Sequence, residues 1–442
     1  MSLRTALLGL GVGLALADSS IVTLALPEIL GHFDVAITSV AWVLTSFNLV
    51  LAIVAVPAAY VSRRRPREAF AVGVVVFAAA SLTCGLAPSF DVLVGARCVQ
   101  AVGAALLVTA ALDLLSQVEG SDEGALRVWV AAGVLGAALG PAAGGILTQL
   151  LGWESIFLAQ VPIALALLVA LRGVDARPSA APAGRPSLPA NLALLLVAGG
   201  LVAALFLVVL LLVDGWGMSP VAAGIVVTVM PLTAILTGRV RPRSLGVVQG
   251  CACGVILIAG GLCALALMPH VGWGWTIPPQ ILVGAGLGLT VGGLTELAVR
   301  GRADQVVHGG WTLTARHAGV VLGLLLLAPV LTSALDENRD EAIRAGAAIV
   351  LDSRIPPLAK LGVAQDVLAE VDRANGAGKL PDVERALADR ANDDEEWTSL
   401  VAGLQDQLDR AVTSAFSGPF FLASALALCA LIPLAFIRRN PG

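Results

Sequence analysis

Two oppositely charged side chains stand in otherwise apolar stretches: Asp18 in LALADSSIVTLAL and Arg97 in LVGARCVQAVGAA. An ionised group at mid-bilayer costs several kcal/mol, so each must face a protein interior or a wet cavity. Asp18 lies about 13 residues into its apolar run, roughly 20 Å from one surface at 1.5 Å per residue, and Arg97 lies roughly 10 Å in from the other. In a hydrocarbon core about 30 Å thick these depths coincide, and the two side chains can pair. A contact that forms in one access state and breaks in another makes Asp18 bind and release a proton in turn. The alternative is a static ion pair that holds two helices together.

The other candidates are sparse. Glu296 is one turn from Arg300, and Arg316-His317 lie two to three turns into the next apolar run. Glu296 and Arg316 can therefore form a gating pair or a structural one. Asp113 reads as interfacial, with an ion pair or gate as the alternative. Asn48, Gln100 and Gln160 either line a cavity or hydrogen-bond between helices. Gly136, Gly140 and Gly144 recur every fourth residue beside Pro141 and Gly145, so a neighbouring backbone can approach closely while the proline bends the helix. Such a seam can hold a cavity shut, or can be ordinary small-residue packing. Cys251 and Cys253 face different ways on a helix, the four histidines show no metal spacing, and no phosphate-cradling glycine loop occurs. No metal, cofactor or enzymatic reaction is expected. The expected energy source is a proton gradient, in which one charge crossing 100 mV supplies about 2.3 kcal/mol.

Membrane helices must position these residues. Of 442 residues, 57% are hydrophobic and 13% charged, against about 25% charged in a typical soluble domain. That excludes a soluble single domain, a disordered chain, a nucleic-acid binder and a disulfide-stapled module. A span needs about 20 mostly apolar residues. The sequence supplies them near 5–26, 40–61, 68–87, 91–115, 127–150 and 153–171, then near 191–213, 218–237, 245–268, 275–298, 307–333 and 416–437. The reading is an all-α membrane protein of twelve spans. An N-terminal half (1–172) and a C-terminal half (191–335 with 416–442) are joined by a Pro/Ala-rich linker, 173–190. Arg4, Leu7–Leu16 and the pair Ala15-x-Ala17 imitate a cleavable signal, but apolar character resumes at Ile21 and runs to Ile29, so span 1 is read as retained.

Charge sets the expected orientation. Sixteen arginines, among them Arg63, Arg64, Arg65, Arg67, Arg127, Arg239, Arg300 and Arg302, fall on one side, and five short loops on the other carry no Lys or Arg. The positive-inside rule puts both termini in the cytoplasm of a cell-membrane protein. Residues 336–415 then lie outside; Asp336–Arg410 hold 17 acidic and 9 basic side chains. They read as short amphipathic helices broken at Pro356-Pro357 and Gly376-Ala377-Gly378, restarting at Pro381, and hinged to span 12 at Ser417-Gly418-Pro419. Trp397, Leu400, Val401, Leu404, Leu408 and Val412 follow helical spacing and suit a small helical core. A lid, a contact for a protein or substrate, or an inert cap are the readings of this insert. Arg63-Arg64-Arg65-Pro66-Arg67 recurs as Arg239-Val240-Arg241-Pro242-Arg243, 176 residues later, as two parallel halves require.

Several stretches carry a family likeness. They are Asp18-Ser19-Ser20 through Pro27 in span 1, Ala41-Trp42-Val43-Leu44-Thr45 in span 2, and Arg97-Cys98-Val99-Gln100-Ala101-Val102-Gly103 in span 4. Gly136 to Gly145 in span 5, Gly217-Met218-Ser219-Pro220 and Thr314-Ala315-Arg316-His317-Ala318-Gly319 complete the set. On these residues the chain resembles the drug:proton antiporter branch of the major facilitator superfamily. The resemblance implies a secondary transporter exporting drug-like small molecules by alternating access, and the chain is expected to act as a monomer. It also implies coupling at Asp18 and Arg97, a cavity lined by Trp42, Asn48, Gln100 and Gln160, and an antiporter motif at Gly136, Gly140, Pro141, Gly144 and Gly145. Val61-Ser62 stand where the branch carries Asp and Gly, and Leu211-Leu212-Val213 where it is polar, which suggests a greasier cavity. Lipid or lipoconjugate translocation and a non-transporting receptor or scaffold are the competing readings. A cavity reaching Asp18 favours transport; a dry interior favours the scaffold.

Overall fold

A lipid core offers no partner to a bare backbone amide, so long runs of Leu, Ala, Val and Gly close into helices. The computed structural model describes residues 2–172, 184–240, 245–268, 272–353, 355–376, 386–387 and 395–437. Among them eleven helices are long and apolar enough to cross a membrane. The shorter apolar run Ser155–Leu171 sits where the sixth span is expected. In chain order the spans are Leu3–Thr23, Ile37–Ser62, Pro66–Gly85, Phe90–Glu119 and Asp122–Leu151, with Ser155–Leu171 sixth. Leu188–Leu210, Pro220–Val240, Val247–Ala266, Ile277–Val299 and Gln305–Asp352 follow, and span 12 is Ser417–Leu428 with Leu431–Ala435. Starts are locally encoded: Ser89 and Ser121 side chains accept from the amides of Val92 and Gly124, and Pro66 opens span 3 where its missing N–H costs nothing.

Packing repeats between the halves. Span 1 lies on span 5, span 2 on span 4 and span 3 on span 4; span 7 lies on span 11, span 8 on span 10 and span 9 on span 10. Two seams join the halves, span 2 on span 11 and span 5 on span 8, and each maps onto the other under the same exchange. Glycine makes the tight contacts. A Cβ at Gly136 would sit 2.1 Å from the carbonyl oxygen of Gly13, and one at Gly319 would sit 2.0 Å from that of Leu195, so spans 1–5 and 7–11 touch backbone to backbone.

The segment before span 12 differs from expectation. Residues 336–352 form no separate short helix: span 11 continues unbroken for 48 residues to Asp352. The polar half of this run keeps its internal hydrogen bonds, so nothing stops the helix before the Pro356-Pro357 pair. At Ser417-Gly418-Pro419, where a hinge is expected, one helix ends at Ala415 and the next begins at Ser417. Phe416 keeps helical angles (φ −77°, ψ −14°), and Pro419 falls in a first helical turn, where no amide is lost. Helices Pro357–Gly376 and Glu395–Ala415 flank a cluster of Val350, Ile355, Val363, Leu387, Leu400 and Leu404. Pro381 and the second arginine box (Arg241 to Arg243) lie outside the described residues, as does most of the linker.

Candidate functional site

Asp18 and Arg97 are both fully buried and form an ion pair between spans 1 and 4. A charge pair out of water is tolerated only when its remaining lone pairs and protons are used. Here Gln160 Nε2 donates to Asp18 Oδ1 at 3.0 Å and Gln100 Nε2 at 3.3 Å. Arg97 Nη1 donates to Gln100 Oε1 (2.6 Å) and Arg97 Nε to the Val43 carbonyl (3.1 Å). The guanidinium lies over the Phe47 ring, 4.3 Å from its centroid. Ser81 accepts from Gln100 Nε2 at 2.8 Å. Five spans of one half thus converge on one carboxylate. Within this network Arg97 Nη2 is buried without a hydrogen-bond partner among the described residues.

A second polar chain crosses between the halves. Asn48 Nδ2 donates to the Leu44 carbonyl (2.7 Å) and to Ser19 Oγ (3.2 Å), which leaves its Oδ1 to accept from His317 Nδ1 at 2.6 Å. Thr314 Oγ1 donates to the Ala52 carbonyl (2.7 Å) along the same seam, and Arg63 pairs with the buried Asp304 at 2.8 Å near its end. The span 2–span 11 seam is therefore bonded along its length.

The other seam encloses space. A cavity of about 540 Å³ lies among spans 1, 5, 7, 8, 10 and 11. It runs from Ser19, Ser20 and Pro141 to Glu123, Arg127, Arg239 and Arg300 at the arginine-rich end, and its volume is ordinary for a small-molecule site. Past its inner end the halves close: a Cβ at Gly145 would sit 2.6 Å from the Pro220 carbonyl oxygen, and Gln149 Oε1 accepts from the Val221 amide at 3.0 Å. Among the described residues no group of three His, Cys, Asp or Glu side chains converges as a metal site requires.

Residues 8–336 match the family described as the Major Facilitator Superfamily. The chain belongs to that superfamily. Over 172 residues it is 36% identical to the drug efflux pump JefA of Mycobacterium tuberculosis (38% of this chain, 34% of that protein). Over another 172-residue match it is 36% identical to the multidrug resistance protein Stp of the same species (38% and 32%). The chain thus spans about a third of the length of these two relatives. It is 27% identical over 407 residues to the tetracenomycin C resistance and export protein of Streptomyces glaucescens, 73% of this chain and 74% of that one. A bacterial homologue of the human lysosomal transporter Spinster, crystallised inward-facing and unoccupied, shares the fold at TM-score 0.65 and 17% identity, covering 99% of this chain and 98% of its own. The chain is a multi-pass membrane protein of this superfamily.

Within this superfamily fold the remaining candidates separate. Glu296 pairs with Arg300 at 2.5 Å rather than with Arg316, because the i,i+4 partner lies on its own helix. Both Glu296 and Arg316 line the cavity. None of Trp42, Asn48, Gln100 and Gln160 does so. The three amides are consumed by the buried hydrogen bonds above, and Trp42 is 46% exposed away from this cavity's lining. Asp113 is buried and accepts from Gln117 Nε2 at 3.0 Å. Gly136, Gly140 and Gly144 face span 1, where added Cβ atoms would meet Gly13, Ser20 and Ile21; Gly145 faces span 8. Sequence reasoning missed Ser81, Ser19, and the Arg63–Asp304 pair. Asp304 stands just before span 11 as a helix cap, and that acid beside an arginine-rich end was the available signal.

Proposed function

We propose that this transporter is a proton-coupled exporter of lipophilic or amphipathic small molecules that works by alternating access. The observation that carries the reading is the buried Asp18 carboxylate, held by Arg97, Gln100 and Gln160 while its chain neighbours Ser19 and Ser20 reach the cavity wall. A cavity opening exchanges this shell for water and substrate, and the Asp18–Arg97 contact is what a proton replaces. The names of the relatives, a drug efflux pump and a tetracenomycin C resistance and export protein, support export of drug-like molecules. The arginine pattern supports cytoplasmic termini, two six-span halves about the 173–190 linker and an acidic 336–415 insert outside the cell. The chain acts as a monomer with protons, small molecules and the bilayer as its partners. In proteoliposomes under an imposed pH gradient, tested with cationic, neutral and lipid substrates, wild type accumulates at least one of them. Asp18→Asn then loses the gradient-driven component; drive that survives this change rejects the coupling site.

Lipid or lipoconjugate translocation is the second reading, favoured by a cavity wall of Leu16, Leu205, Met230, Leu287 and Val291. Gradient-dependent flipping of a labelled lipid, without movement of soluble substrates, would select it. The same cavity stands against a non-transporting scaffold, whose interior has no need of one.

A further inference from the structure

We infer that Arg316 is the head-group site of the cavity and that the preferred ligand is an amphiphile with an anionic head, a carboxylate or a phosphate. The inference rests on the transporter reading above and names its substrate class. Arg316 stands 11 residues into span 11, about 16 Å from the helix start at 1.5 Å per residue, and so near the middle of the apolar core. A cation at that depth costs several kcal/mol unless something compensates it. Yet among the described residues Arg316 makes no hydrogen bond or ion pair, although Asp18 and Glu296 are the acids that the sequence could have offered it. Both are taken, the first by Arg97 and the second by Arg300.

The guanidinium faces open space. It lines the cavity, and a Cβ added at the opposing Gly133 of span 5 would lie 4.0 Å from Arg316 Nη1. Ser19 and Ser20 line the closed end of the same cavity. The charge of the whole wall has the same sign: four arginines (Arg127, Arg239, Arg300, Arg316) against two glutamates (Glu123, Glu296), both of which are bonded to Arg300. An arginine fork binds carboxylate and phosphate oxygens in pairs, so an anion at this depth replaces the missing internal partner. The apolar wall between the arginine and the mouth suits an alkyl or aryl tail. A cationic amphiphile gains the tail contact and meets an uncompensated positive charge.

The test is equilibrium binding to the full chain in zwitterionic nanodiscs, with empty discs as blank and no pH gradient. The probes are dodecanoic acid, dodecyl phosphate, methyl dodecanoate and dodecylamine. Wild type should bind the two anions at least tenfold more tightly than the ester or the amine. Arg316→Gln should lose that preference while keeping ester affinity, which reports an intact fold, and Arg316→Lys should recover part of it. Equal affinity of wild type for acid and ester overturns the inference, as does an unchanged acid affinity in Arg316→Gln. If Arg316→Gln does not fold, Arg316→Lys against wild type across the two anions decides, since loss of the paired fork must weaken both. Competition by an anionic phospholipid added to the discs assigns the head to a membrane lipid, and its absence to a free solute; either keeps the site. Because the readout is binding, a protein that binds anions through Arg316 but transports nothing would reject the transport reading and leave the site standing.

Discussion

At the scale of single residues, buried charge is the rarest material in this chain, and the fold spends its polar groups on it. Arg97→Met leaves the Asp18 carboxylate buried without its cation, which costs about 3–5 kcal/mol by analogy with other broken buried pairs. The double variant Asp18→Asn with Arg97→Met should recover most of that loss, measured as thermal unfolding of the purified protein. The Asn48–His317 hydrogen bond predicts a second outcome. His317→Ala leaves the buried Asn48 Oδ1 only the long 3.4 Å contact from Ser19 Oγ and costs about 1–3 kcal/mol. The cost should fall away in an Asn48→Ala background, a non-additivity that a double-mutant cycle reads directly. These sites were partly legible. The equal depth of Asp18 and Arg97 follows from counting along two apolar runs, but the roles of Gln100 and Gln160 do not. An amide in an apolar span reads the same whether it lines a cavity or holds a carboxylate, and only the neighbours of Asp18 choose.

At the scale of helices, contact distance between backbones decides which seams can open. Spans 5 and 8 meet at Gly145 and Pro220, beyond the closed end of the cavity, with no room for a side chain. Gly145→Leu should force them apart there, at about 1–3 kcal/mol of overpacking strain. The expected result is faster labelling of a cysteine placed at Val221 by a membrane-impermeant maleimide, together with loss of transport. Unchanged labelling would mean that the seam yields elsewhere. The i+4 glycine spacing in span 5 was visible in the sequence, yet its target was not. Gly136, Gly140 and Gly144 turn to span 1 and Gly145 to span 8 because one residue step rotates the face by about 100°. Likewise the 48-residue span 11 helix hides a boundary. Helical hydrogen bonding continues through the polar residues after Leu335, so composition marks where lipid ends but not where the helix does.

At the scale of the whole molecule, arginine asymmetry predicts sidedness. In a cysteine-free background, Lys360→Cys should react with impermeant maleimide in intact cells, whereas Arg302→Cys should react only after permeabilisation. The reverse pattern would invert the topology. The pairing of span 2 with span 11 and span 5 with span 8 makes the two halves touch along two equivalent seams, one bonded along its length and one holding a cavity. That difference between equivalent seams is what the alternating-access proposal is built on.

The sequence by itself marked the apolar runs that form the membrane helices and the loops in which arginines gather, because these depend on local hydrophobicity and on counting residues. It also singled out Asp18, Arg97 and Arg316, because a charge in an apolar run is conspicuous wherever the run packs. Only the tertiary structure decided which of these charges are satisfied. Asp18 and Arg97 close on each other within one half, and Glu296 turns to Arg300 on its own helix, while Arg316 is left on a cavity wall with no described partner. Pairing depends on the azimuth of each helix and on which seam it lines. Those are set by glycine contacts between residues far apart in the chain, which no linear pattern encodes.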